Sequence, residues 1–218
     1  MSLAIFDLDN TLIAGDSDYL WGQFLVEQGI VDGDEYEQEN ARFFQDYKTG
    51  RLDITEYLAF ALKPLAAHPV EQLLELRKQF VEEKIQPLIL PKAQRRIDWH
   101  RNNDDTLLII TATNRFVTEL TVELYGVENL LATNPEFIDG KYTGKVEGTP
   151  CYQGGKIINL DQWLSDGRES LINDTWFYSD SMNDIPLLQQ VDYAVAVDAD
   201  EALTKRAQQE GWLITSFR

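Results

Sequence analysis

A chain of 218 residues has room for one sizeable core, or for a core with a smaller unit inserted into it. Its 37 acidic residues outnumber the 19 basic ones, for a formal charge of −18, and a surface field of that sign repels nucleic acid and anionic headgroups, which excludes both as partners. Cys151 is the single cysteine, so no internal disulfide framework exists. No apolar run approaches the ~18 residues of a membrane span. The opening Met1-Ser2-Leu3-Ala4-Ile5-Phe6 has neither a basic region nor a cleavage site, so the expectation is a soluble cytoplasmic protein.

Residues 3–8 form a short apolar run that ends in carboxylates, which reads as a buried parallel strand with Asp7 and Asp9 at its C-terminal end. Residues 16–86 then depart from strand chemistry. Leu20, Phe24 and Leu25 share a helical face, Tyr36, Phe43, Phe44 and Tyr47 another, and Leu73, Leu76 and Phe80 recur at three- and four-residue spacing. Gly50, Pro64 and Pro69 punctuate these helices. Further along, helices are expected over 92–101, 116–125, 156–164, 185–190 and 201–210. Strands are expected over 107–110, 175–178 and 193–197, and a hairpin over 136–146 around Asp139-Gly140. Strands alternating with helices indicate an α/β fold, a Rossmann-like, mostly parallel sheet. The domain expectation is a catalytic core of 1–15 plus 87–218 and a helical cap of 16–86; packing of that insert against a sheet edge is the alternative.

In such sheets ligands bind at the carboxyl ends of the strands, where the polar residues here would converge. Asp7 and Asp9, two apart on a strand, share a face. Two buried carboxylates repel each other unless a cation joins them, and Mg²⁺ favours one or two carboxylates together with water and phosphate oxygens. One carboxylate can attack phosphorus while the other moves the proton. Asp180 and Asp184, in Ser179-Asp180-Ser181-Met182-Asn183-Asp184, suit metal coordination, or helix capping. Thr111, at a strand end before a helix start, can bind a phosphate oxygen beside backbone N–H groups, or simply form a turn. Lys156, after Gly154-Gly155, can neutralise phosphate, or lie on the surface.

In this order, Asp7-Leu8-Asp9-Asn10-Thr11, Thr111, Lys156 and Asp180 to Asp184 resemble the four motifs of the haloacid dehalogenase superfamily of phosphohydrolases. The insert directly after the first motif resembles the cap of the phosphoserine phosphatase-like subgroup. Phe6 to Leu12 with Gly15-Asp16-Ser17-Asp18, and Ile110 to Phe116, resemble bacterial histidinol-phosphate phosphatases more closely. The resemblance implies Asp7 as nucleophile and metal ligand, and Asp9 as general acid and base, ligating metal through its carbonyl. It implies Thr111, Ala112, Lys156 and Asn183 as phosphate-binding residues, Asp180 and Asp184 as metal residues with Mg²⁺ the cofactor, and Thr11 as a brace for the turn. The chain departs from phosphoserine phosphatases in three places. Ala112-Thr113 stands where a glycine pair is usual, Asp16 where a glutamate is expected, and the insert offers no clear counterpart of the arginine that holds the serine carboxylate.

The function expected is therefore Mg-dependent hydrolysis of a small phosphorylated metabolite through a phosphoaspartyl intermediate. If Asp16 and Asp18 face the crevice they can receive a cationic amine or imidazole, which points to histidinol phosphate or another amino-alcohol phosphate. Phosphoserine is the alternative substrate. A phospho-accepting receiver-like signalling module is the alternative of another class, disfavoured by the helical insert.

Overall fold

The computed structural model describes residues 2–167 and 173–218. Strand β1 (Leu3–Phe6) lies at the centre of a seven-stranded sheet of order β4-β3-β2-β1-β5-β6-β7. β2 (Thr106–Asn114) and β5 (Thr175–Ser179) flank it in parallel, with Phe6 opposite Ile109 on one side and Tyr178 on the other. β3 (Asn129–Ile138), β6 (Tyr193–Val197) and β7 (Leu213–Thr215) extend the parallel sheet, and β4 (Lys141–Glu147) returns antiparallel from β3. The chain thus builds outward from β1 first to one side and then to the other. That makes the carboxyl end of β1 the switch point where a crevice opens.

Three details depart from the sequence expectation. β2 continues through Thr111 to Asn114, so the second motif lies within the strand rather than beyond it. β3 begins at Asn129, well before the hairpin, and pairs with β2 there; its Asn, Thr and Pro residues conceal the strand. β7 has only three residues, too few for an alternation to register.

Alternation along β1 sends Leu3 and Ile5 into one core layer and Ala4 and Phe6 into the other. The first layer is completed by α8 (Gly154–Ser165), α9 (Ile185–Leu188) and α10 (Glu201–Glu210), through Leu160, Leu187, Leu188 and Leu203. The second receives α6 (Pro91–Asn102) and α7 (Arg115–Leu124), through Ala93, Ile97, Phe116 and Val117.

Between β1 and α6 lies a helical insert: α1 (Ser17–Glu27), α2 (Gly33–Lys48), α3 (Ile54–Ala61), α4 (Lys63–Ala67) and α5 (Val70–Phe80). Asp16 caps α1 by accepting from Tyr19 N, and Asp53 caps α3 by accepting from Thr55 N and Glu56 N. α1 and α5 bury Trp21, Phe24 and Phe80 in the same cluster as Phe116 and Val117. They therefore stand on the core, while α2 and α3 project with an aromatic cluster of their own, in which Phe43 packs against Tyr57 and Phe60. Gly22 permits the close crossing of α1 and α2, because a Cβ there would come within 2.5 Å of Asn40 Nδ2. The β3–β4 turn has Asp139 at φ 51° and Gly140 at φ 78°, the type I′ geometry expected of Asp-Gly. No helix among the described residues is long and apolar enough to cross a membrane.

Candidate active site

Asp7 extends the β1–β5 pairing by one residue, its N–H donating to Tyr178 O at 2.9 Å. The chain then folds back on itself, with Asn10 at φ 57° and the Leu12 N–H donating to Leu8 O. This turn brings the buried Thr11 beneath the strand ends, where its hydroxyl lies 3.4 Å from Asp7 Oδ2 and 3.2 Å from Asp180 Oδ1. Lys156 enters from the first turn of α8. Its Nζ donates to Asp7 Oδ1 at 2.8 Å and to Asp184 at 2.7 Å. Gly155 makes that approach possible, since a Cβ there would lie 1.9 Å from Pro150 O. Ser179 Oγ donates to Asp184 at 2.7 Å and fixes the far side of the pair. Asp7, Thr11, Lys156, Asp180 and Asp184 therefore meet at one place.

Asp9 belongs to the same crevice but is held separately. Ser17 N donates to its Oδ1 at 2.6 Å, and Thr113 Oγ1 donates to its Oδ2 at 2.8 Å. Thr111 Oγ1, 3.5 Å from the same oxygen, is a weaker partner. Sequence reasoning singled out Thr111 and missed Thr113. The signal was present, because residues two apart on a strand share a face. Ala112, between them, has its carbonyl bound by Thr133 Oγ1 at 2.8 Å, which sets the orientation of that peptide.

Charge is badly unbalanced here. Burial raises the Asp7 carboxyl to about 7; Lys156 opposes the rise, and Asp184 and Asp9 add to it. Burial also raises Asp9 and Asp180, the latter pushed further by Asp7 and Asp184. Burial pushes the Lys156 ammonium down, but Asp184 and Asp7 together outweigh it and hold the group above its ordinary value. One lysine faces four carboxylates. The donor set is entirely oxygen and short of positive charge, which fits a hard divalent cation. Among the described residues no three acidic, histidine or cysteine side chains are arranged to hold a metal on their own, so an ion at this site would need further ligands from backbone, water or substrate.

Above these groups a cavity extends into the helical insert. Asp7, Asp9, Thr111 and Tyr152 form its floor; Asp16, Asp18, Phe43, Phe44 and Tyr57 are among its upper walls. Asp16 and Asp18 are half-buried and open onto this space. Burial, followed by the charge of Asp9, holds Asp16 well above its ordinary value. Burial raises Asp18 to about 7, although the Tyr57 hydroxyl bonded to it acts in the other direction. Among the described residues, no lysine or arginine lines the cavity. Asn183 lies at its edge, with Nδ2 donating to Tyr47 O at 3.0 Å. Cys151 is buried, and burial pushes its thiol up to about 12, which leaves it inert as a nucleophile.

The haloacid dehalogenase-like hydrolase family model matches residues 4–189, a span that contains every one of these residues. The chain belongs to the haloacid dehalogenase-like hydrolases. It is 44% identical over 220 residues to a histidinol-phosphatase from Neisseria meningitidis serogroup C (strain 8013), covering 100% of this chain and 99% of that protein. A solved structure of a protein of unknown function from Bordetella pertussis Tohama I superposes with a TM-score of 0.94 at 36% identity, covering 100% and 99%. A substrate-bound phosphoserine phosphatase superposes with a TM-score of 0.72 at 20% identity, covering 100% and 93%, a likeness of fold. This haloacid dehalogenase-like hydrolase is thus an enzyme, a phosphatase.

Proposed function

We propose that the protein hydrolyses the phosphate monoester of a small amino alcohol, histidinol phosphate foremost, through a phosphoaspartyl intermediate on Asp7. Residues 1–15 and 87–218 act as the catalytic core and 16–86 as the cap, with α1 and α5 as its stem. Phosphatases of this family generally use Mg²⁺. In this chain Asp7, the Asp9 carbonyl and Asp180 would hold it, with Asp184 behind them. Bound there, Mg²⁺ supplies positive charge to the phosphoryl oxygens and relieves the repulsion among the carboxylates.

Lys156 and Thr111 hold the phosphoryl oxygens, beside the Ala112 peptide and Asn183. Asp7 attacks phosphorus in line as the P–O bond to the alcohol breaks. Asp9, whose burial favours the protonated form, gives its proton to the departing alkoxide. Asp9 then takes a proton from water, which attacks the acyl phosphate and regenerates Asp7. Orientation and charge stabilisation supply most of the acceleration, as in other phosphoryl transfers.

The observation that carries the substrate class is the cavity wall. Asp16 and Asp18 open onto an aromatic space that no lysine or arginine lines among the described residues. Such a wall attracts an ammonium or imidazolium and repels a carboxylate. Beyond the phosphate that both share, histidinol phosphate presents an amine and an imidazole, whereas phosphoserine adds a carboxylate to its amine. The similarity to the Neisseria histidinol-phosphatase supports the same choice. Steady-state hydrolysis of histidinol phosphate, phosphoserine and glycerol phosphate with Mg²⁺ tests it. The expected order of kcat/KM places histidinol phosphate first; phosphoserine in first place would overturn the assignment.

A further inference from the structure

Asn183 is a small hub between core and cap. Its Nδ2 donates to Tyr47 O at 3.0 Å, and its Oδ1 accepts from Tyr152 Oη and from Gln153 Nε2, each at 3.1 Å. The Tyr47 carbonyl can only accept, so the amide orientation follows from the bonds themselves. Both acceptor positions of Oδ1 are thereby filled and one N–H of Nδ2 is committed. These bonds fix the orientation of the amide. Gln153 Nε2 also reaches Tyr152 Oη at 3.1 Å, which closes the set.

The cap end of this set is the C-terminus of α2. Tyr47 lies in the last turn, where its carbonyl accepts from Gly50 N at 3.0 Å and offers its second lone pair to Asn183. The turn that follows comes close to the catalytic loop: a Cβ on Gly50 would be 3.3 Å from Met182 Cε. Gln153 is itself unusual. It holds φ 47° and ψ −119°, a backbone conformation that disfavours any residue with a Cβ, directly before Gly154 and Gly155. A non-glycine kept in such a conformation persists where its side chain is needed.

We propose that Tyr152 and Gln153 are positioning residues that act through the Asn183 amide to latch the C-terminal end of α2 onto the catalytic strand ends. They hold the cap in register with the crevice without touching the reacting atoms. Because Asn183 belongs to the loop that carries Asp180 and Asp184, the latch ties cap position to the geometry of the acidic cluster.

Gln153→Gly is the sharpest test, since it removes the side chain and relieves the backbone at once. Hydrogen exchange of the free protein, which needs no substrate, should show the Thr49, Gly50 and Arg51 amides exchanging about fivefold faster, the net worth of one hydrogen bond, with Tm held or raised. With histidinol phosphate, KM should rise by a similar factor while kcat does not fall. Tyr152→Phe keeps the ring and removes only the hydroxyl, and should show the same exchange change should Gln153→Gly fail to fold. Wild-type exchange at those amides in a folded variant would overturn the latch, as would a loss of kcat with KM unchanged. The exchange arm stands apart from the identity of the substrate, so an error in the proposed substrate would leave it intact.

Discussion

Lys156 Nζ stands 2.8 Å from Asp7 Oδ1, with both side chains almost wholly buried. Among the described residues, the ion pair is the one positive contact of the proposed nucleophile. Removing it leaves Asp7 and Asp184 as buried negative charges. Lys156→Met should therefore lower stability by about 3–5 kcal/mol at neutral pH, and should abolish measurable turnover. Thermal denaturation across pH checks the cause. Without Lys156 the Asp7 carboxyl is raised further above its unfolded value, so the stability it contributes is present at low pH and lost as pH rises. The Tm deficit of the variant should shrink toward pH 4.

The acidic cluster predicts metal-dependent stability even without substrate. A ligand that binds only the folded state stabilises it in proportion to the logarithm of its concentration above Kd, about 2.7 kcal/mol at a hundredfold excess. Wild-type Tm should rise with Mg²⁺ and fall back with a chelator. Asp180→Asn should raise the metal-free Tm, by removing a repelled carboxylate, and flatten the Mg²⁺ response.

Asp18 should trade stability for recognition. Burial raises its carboxyl from 3.8 to about 7. A raised carboxyl contributes stability below its unfolded pKa, and that contribution is lost as pH climbs through 7. Asp18→Asn should therefore be the more stable protein above pH 7, by on the order of 2 kcal/mol after allowance for its opening onto the cavity. The same variant should bind an amino-alcohol phosphate roughly ten- to a hundredfold more weakly, the range for a hydrogen bond to a charged group. In wild type, KM for histidinol phosphate should rise as pH falls below 7 relative to KM for glycerol phosphate. That difference should vanish in Asp18→Asn.

Thr113 supplies the shorter of the two threonine contacts to Asp9, 2.8 Å against 3.5 Å from Thr111. Thr113→Val preserves shape and removes the donor. The bond helps to hold the Asp9 carboxyl down against burial, so its loss should raise that carboxyl further. The basic limb of the kcat/KM profile, reporting the protonated acid, should move to higher pH, and kcat should fall because the water step needs Asp9 ionised.

The parts legible in the sequence are those where local chemistry and fold agree. A run of apolar residues that ends in carboxylates marked β1 and β5, and Asp139-Gly140 marked the hairpin. Asp7, Asp180, Asp184 and Lys156 stand at strand ends and helix starts, so the topology alone brings them together. What stayed hidden depends on tertiary contact. β7 is held by pairing with β6 over three residues, with no pattern of its own. Tyr57 meets Asp18 across the cavity, 39 positions away in the chain, which no local pattern reveals. Gln153 gives no sign in sequence of its positive φ, which accompanies side-chain bonds to Tyr152 and Asn183 that only the folded chain makes.

In the proposed reaction Asp7 carries the phosphoryl group between substrate and water. Acid quenching during turnover of histidinol phosphate with Mg²⁺, followed by mass spectrometry of the peptide that contains Asp7, tests it directly. The expected result is a single phosphoryl increment on Asp7, absent from Asp7→Asn, which should fold and show no turnover. Unmodified Asp7 in an actively cycling enzyme, together with retained turnover in Asp7→Asn, would contradict the account.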